Sequence, residues 1–243
     1  MLLNHRRALR LVGVLAVATV VVFLLVGTDP NRGVVQDVDD GFLDAMVDLR
    51  WTPLVWLAKL LAFAGSVWVN WPLRLIAMVV LAVRRRWLQL TAFVLAVATS
   101  EVSIGLLKAM YERPRPVGGL LPTDSFSFPS GHAVAGAVTA VGLVLVLLPP
   151  GPRRWRWEFQ AAIFACLMAL SRTYLGVHWL TDVVGGGLLG VTLAIGWPAV
   201  LQEVRDRWGR SHTPRAVALP PPDPDLGAAP DLSSPPDFAP EAR

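Results

Sequence analysis

The sequence predicts an all-α integral membrane protein: a bundle of six transmembrane helices with an interfacial amphipathic helix and a disordered C-terminal tail. Three observations predict it. Apolar residues make up 54% of the 243 residues and are gathered into runs of about 20, the length that crosses a bilayer. Every second loop between those runs is rich in arginine. Proline, aspartate and alanine replace the apolar runs over 211–243. The chain therefore divides into a membrane domain, 1–210, and a Pro-rich tail, 211–243.

Spanning segments are expected near 8–27, 66–83, 87–110, 131–149, 156–173 and 179–201. The first follows His5, Arg6, Arg7 and Arg10, as a signal peptide would. Its apolar part is long for a signal and no small-x-small cleavage site follows, so it reads as an uncleaved span. Residues 38–50 place Val38, Phe42, Leu43, Met46 and Leu49 at helical spacing, with Asp39, Asp40, Asp44 and Asp48 elsewhere on the wheel. That pattern predicts a helix lying at the interface, broken by Thr52-Pro53. The stretch 54–64 reads equally as a second interfacial helix or as the start of a long, tilted second span containing Pro72. The tail carries Pro220, Pro221, Pro222, Pro224, Pro230, Pro235, Pro236 and Pro240, and buries too little apolar surface to offset the entropy of ordering it. Cys166 is the single cysteine, which excludes an intrachain disulfide.

Loop charge sets the orientation. Arg84, Arg85 and Arg86 follow the second span, Arg153, Arg154 and Arg156 lie between the fourth and fifth, and Arg205, Arg207 and Arg210 follow the sixth. The first loop instead carries Asp29, Asp37, Asp39 and Asp40. By the positive-inside rule both termini are cytoplasmic, and the loops at 111–130 and 172–179 face the extracytoplasmic side of the cell membrane. Arg113 and Arg115 then stand on the wrong side for cations, and binding an anion supplies a reason.

Three stretches carry the chemistry: KAMYERPRP at 108–116, SFPSGH at 127–132 and SRTYLGVHWLTD at 171–182. Ionisable residues beside apolar spans are costly, and function is the default reading. In the second stretch Ser130 stands at an N-cap position, Gly131 allows close approach, and the free amides of a helix start face an anion, with His132 at its edge. In the third, His178 and Asp182 are four apart and share a face if the last helix begins near Val177. A carboxylate beside an imidazole fixes its tautomer and frees the other ring nitrogen. Lys108 offers a point charge and Arg115 a two-pronged fork for phosphate oxygens. Snorkelling to headgroups is the competing reading, and it suits Arg113 better than Arg115. His132, His178 and Asp182 as zinc ligands are disfavoured by the surrounding positive charge. No metal and no cofactor are expected.

The order Lys108-x6-Arg115-Pro116, Pro129-Ser130-Gly131-His132 and Ser171-Arg172-x5-His178-x3-Asp182 resembles the three-part signature of the type 2 phosphatidic acid phosphatase superfamily. The resemblance runs from the second span to the sixth, and the six-span layout is similar to that of its bacterial lipid phosphatases. It implies that His178 attacks phosphorus and forms a phosphohistidine, that Asp182 orients it, and that His132 protonates the leaving group. Lys108, Arg115, Ser130, Gly131 and Arg172 would bind the phosphoryl oxygens. Arg113 matches a frequent but less central position.

The expected activity is metal-independent hydrolysis of a lipid mono- or diphosphate: a polyprenyl pyrophosphate, phosphatidic acid or phosphatidylglycerol phosphate. Transfer to another lipid would use the same residues, and a non-catalytic lipid-phosphate binder is the alternative of another class. The expected partners are that lipid and the membrane, not nucleic acid. Glu101, about two turns deeper than Lys108 on the same helical face, is expected to face the bundle interior and pair with a polar neighbour.

Overall fold

A computed structural model describes residues 5–28 and 33–211, and all regular structure among them is helical. The elements are α1 (His5–Thr28), α2 (Val34–Asp48), α3 (Thr52–Ala64), α4 (Val67–Val83), α5 (Trp87–Tyr111), α6 (Gly131–Leu147), α7 (Pro152–Tyr174) and α8 (Leu180–Ser211). Each of the six expected spans coincides with a helix. The tail reading for 212–243 lies outside the described residues.

By length and composition α1, α5 and α8 suffice to cross a bilayer, and α3 with α4, bent by 42° at the break between them, makes a fourth crossing if taken as one. Over 54–64 the chain forms α3, a separate helix leading into α4, which continues through Pro72. Helix α2 is interrupted ahead of Thr52-Pro53, and Pro53 occupies the first turn of the next one, α3, where its missing N–H costs nothing. The amphipathic helix α2 runs earlier than expected and stops at Asp48, where the Leu49 N–H bonds back to Ala45.

The apolar exterior is that of a membrane protein. Val14, Leu24, Leu60, Ile76 and Leu106 are all at least 60% exposed, which water would penalise and a bilayer would not. Trp87, Trp155 and Trp208 are exposed and stand beside the arginine-rich stretches, as tryptophans at a membrane interface do.

Helix α6 is central. Ten of its seventeen residues are buried, which accounts for its being apolar all round. It packs on α8, α7, α5 and α4. The α6–α8 contact is close because Gly186 and Gly190, four apart, meet α6 backbone. A Cβ at Gly186 would lie 2.8 Å from the Ser130 carbonyl oxygen, and one at Gly190 2.6 Å from that of Val134. That approach brings the start of α8 against the start of α6. Beneath, Leu81, Phe93, Val97, Val138 and Val146 form the core between α4, α5 and α6.

Candidate active site

The turn from α7 to α8 delivers the imidazole. Gly176 adopts φ +69°, its N–H bonds to Thr173, and the Val177 N–H reaches back to Arg172. This Schellman closure ends α7 at Arg172–Tyr174 and leaves His178 immediately before α8. The helix starts at Leu180, later than Val177, so His178 and Asp182 do not share a helical face. They meet because Asp182, in the first turn, reaches back over the helix start and accepts the Trp179 N–H at 2.9 Å.

Asp182 is fully buried and saturated. Its Oδ2 accepts Ser127 Oγ and lies 3.3 Å from His178 Nδ1, and its Oδ1 accepts Arg113 Nη1 at 2.9 Å. On the other side of the ring, Arg115 Nη1 stands 3.1 Å from His178 Nε2. A guanidinium only donates, so Nε2 presents its lone pair and the proton sits on Nδ1 towards Asp182. That is the tautomer a nucleophilic nitrogen needs. Burial, helped by the Arg115 and Arg172 charges, pulls His178 down to about 4 from its ordinary 6.5, with Asp182 opposing. Burial likewise lowers Arg115 from its ordinary value.

Around Nε2 lies a cavity of about 330 Å³, lined by Lys108, Arg115, Gly131, His132, Arg172 and His178 among others. Lys108 Nζ donates to Ser125 Oγ and the Phe126 carbonyl, and Arg115 to the Ser125 and Val177 carbonyls. Arg172 is 5% exposed and its Nε has no partner among the described residues. An orphaned buried guanidinium nitrogen beside two further cations makes a seat for an anion. His132 enters from the first turn of α6, where a Cβ at Gly65 would come within 3.2 Å of its ring.

Ser130 is the N-cap of α6, accepting the Ala133 N–H at 3.4 Å, and its own N–H bonds to the Asp182 carbonyl at 3.0 Å. It is fully buried and does not line the cavity, whereas Gly131 does. Phe128 anchors the same segment between Phe23 and Tyr111, with ring centroids 4.9 and 4.7 Å away.

Arg113 does not snorkel. It is 8% exposed and turns inward between Asp182 and Asp39, 2.7 Å from the latter. Asp39 also accepts the Thr181 N–H at 2.9 Å and Thr181 Oγ1 at 2.6 Å, capping α8 from α2. The polar face of α2 therefore serves the protein interior at this position. Glu101 pairs across helices, as expected, with Arg74 at 2.6 Å.

Asp39, Ser127, Thr181 and Arg74 were not among the residues expected at the site. An arginine within the apolar run 66–83 is itself a signal. Nothing in the sequence separates Asp39 from the four other aspartates of α2.

The PAP2 superfamily model matches residues 89–206, which include every one of these active-site stretches. Phosphatidylglycerophosphatase B of Bacillus subtilis is 31% identical over 176 residues, covering 70% of this chain and 87% of that protein. The chain belongs to the PAP2 superfamily. An undecaprenyl-diphosphatase of Sulfolobus acidocaldarius is 37% identical over 106 residues, 41% of this chain and 47% of that one. The crystal structure of a transmembrane PAP2-type phosphatidylglycerolphosphate phosphatase from Bacillus subtilis matches with a TM-score of 0.69 at 27% identity, covering 79% of this chain and 96% of that one. This PAP2 protein is thus a membrane phosphatase, and the cavity around His178 lies within the matched region.

Proposed function

We propose that this protein hydrolyses a lipid mono- or diphosphate through a phosphohistidine on His178. The observation that carries the reading is the convergence of Lys108, Arg115 and Arg172, whose buried Nε has no partner among the described residues, on the cavity that holds both imidazoles. His178 Nε2 attacks phosphorus as the bond to the leaving oxygen breaks, and that oxygen takes a proton from His132. Asp182 holds the Nδ1 proton and stabilises the charge that the ring acquires. Water, deprotonated by His132, then cleaves the N–P bond and releases phosphate. Lys108, Arg115 and Arg172 offset charge at the equatorial oxygens. The Gly131 amide borders the cavity as a further donor, and Ser130 contributes by fixing the helix start.

Six crossings are supported by the helices at all six expected spans, with α6 and α7 as the shorter or more polar members. Arg84, Arg85, Arg86 and Arg153 lie at the end away from the site, as an extracytoplasmic active site and cytoplasmic termini require. The names of the relatives support phosphatidylglycerol phosphate or a polyprenyl diphosphate as substrate, and phosphatidic acid shares the same phosphate.

The test is phosphate release by purified protein in detergent from these lipids, with and without a chelator. Release that persists in chelator and disappears in His178→Ala is expected, and dependence on added metal would overturn the mechanism. A cysteine placed in the 117–125 loop should label from outside intact cells; labelling only after lysis would invert the orientation.

A further inference from the structure

The catalytic cavity has a second polar end. Glu101 lines it about 10 Å along α5 from Lys108, towards the bilayer interior. Its Oε1 is held at 2.6 Å by Arg74 Nη1. Arg74 is fixed in turn: its Nε donates to Thr139 Oγ1 at 2.8 Å, its Nη2 to the Ala135 carbonyl at 3.1 Å, and its guanidinium lies over the Trp71 ring. Arg74 is 1% exposed, yet the Glu101 side chain is 40% exposed. If Glu101 served only to neutralise a buried arginine, it would have no reason to line the cavity, with a second oxygen beyond the one that Arg74 holds. That oxygen accepts no hydrogen bond among the described residues.

The cavity is also larger than a phosphate alone requires, at about 330 Å³ and within the usual range for whole ligands. Its ends are chemically opposite. The His178 end offers donors and positive charge, and the Glu101 end offers a free acceptor whose charge is already matched by Arg74. A second phosphate at the Glu101 end would meet a carboxylate oxygen, and a plain hydrocarbon would leave that oxygen desolvated without a partner. A hydroxyl or an ammonium would satisfy it.

We propose that Glu101, positioned by Arg74, is the leaving-group subsite and selects lipid phosphates whose leaving group carries hydroxyl or ammonium donors near the phosphate. The inference rests on the phosphatase reading above and narrows its substrate class, ranking donor-bearing esters over diphosphates and donor-free esters.

The test uses a matched pair in detergent micelles with the full chain: lysophosphatidic acid, which has a free hydroxyl beside the phosphate-bearing carbon, and its 2-deoxy analogue. Farnesyl diphosphate serves as a third probe. A hydrogen bond to a charged group sets the scale, so wild type should favour the hydroxylated ester by roughly tenfold in kcat/KM. In Glu101→Gln, Arg74 retains the amide oxygen and the amide NH2 faces the cavity, turning an acceptor into a donor. The preference should fall to within about twofold, and farnesyl diphosphate should gain relative to both esters. A uniform loss on all three probes would mean a structural role only and overturn the proposal. Should Glu101→Gln not fold, the wild-type ratio decides, and a value near one with hydrolysis intact overturns this inference alone. Absence of phosphate release from every probe, or release undiminished in His178→Ala, would instead overturn the phosphatase reading and this proposal with it.

Discussion

Asp39 and Asp182, two fully buried carboxylates on different helices, are bridged by the single guanidinium of Arg113 at 2.7 and 2.9 Å. The amphipathic helix α2 is thereby tied to the carboxylate that meets the His178 ring. Removing one partner of a buried pair leaves an uncompensated charge, at a cost of about 3–5 kcal/mol. Asp39→Asn keeps the acceptor for Thr181 but loses the charge facing Arg113. Its melting temperature should fall. Its kcat should drop roughly tenfold, the equivalent of about 1.4 kcal/mol, with KM changed by less than about twofold, because Asp39 does not reach the cavity. Arg113→Lys should behave similarly, since one ammonium cannot bridge both carboxylates. Steady-state kinetics beside thermal melts check both, and a KM effect without a kcat effect would contradict the positioning role.

His178 supplies a prediction about pH. Burial holds it near 4, below its ordinary 6.5, so the ring is neutral at pH 7 and Nε2 keeps its lone pair. As pH falls through about 4 a proton occupies that nitrogen and nucleophilic capacity is lost. Between 6.5 and 4 the unfolded chain takes the proton before the folded one, so stability declines over the same window. Histidine 15N NMR of the free protein, compared with the spectrum of His178→Asn, should show the neutral Nδ1–H tautomer at neutral pH and a midpoint near 4. A midpoint at 6.5 or above would contradict it.

Most of this site was legible because its parts are local. Lys108, Arg115, His132, Arg172, His178 and Asp182 lie within three short stretches, each beside a helix end, and hydropathy alone locates those ends. The supporting residues were harder to read. Asp39 lies 142 positions from Thr181, and only the tertiary path of α2 singles it out among the aspartates of an amphipathic wheel. The fate of Arg113 followed from that same contact, which snorkelling could not anticipate. The His178–Asp182 pairing was correct in partners but not in cause. A four-residue spacing suggested one helical face, whereas the capping of α8 at Leu180 makes the contact.

Arg172 should show stability traded for function. Its buried Nε has no partner among the described residues, a cost that a bound phosphate would relieve. Arg172→Met removes the unmatched cation while keeping apolar bulk. Phosphate release should fall at least a hundredfold, while the melting temperature holds or rises. Arg172→Lys keeps the charge but loses the fork, and competitive inhibition by inorganic phosphate should weaken by roughly tenfold. A lower melting temperature in Arg172→Met would point to a structural role instead.

Two adjacent glycines on α8 provide an internal control for the close approach that assembles the site. A Cβ at Gly186 would lie 2.8 Å from the Ser130 carbonyl oxygen and 3.4 Å from its nitrogen, while one at Gly187 meets nothing within 4 Å. Backbone cannot swing aside as a flexible side chain can. Gly186→Ala must therefore push α8 from the start of α6 and stretch the bond from the Ser130 N–H to the Asp182 carbonyl. Overpacking of this kind costs about 1–3 kcal/mol. Because the displaced atoms flank His178, Lys108 and His132 would no longer converge with it on one phosphate. Gly187→Ala adds no clash and gains up to about 1 kcal/mol of helix propensity. Melting temperature and kcat should both fall in Gly186→Ala, while Gly187→Ala should melt at or above the wild type with unchanged kcat. Equal behaviour of the two variants would show that the α6–α8 approach does not hold the site together.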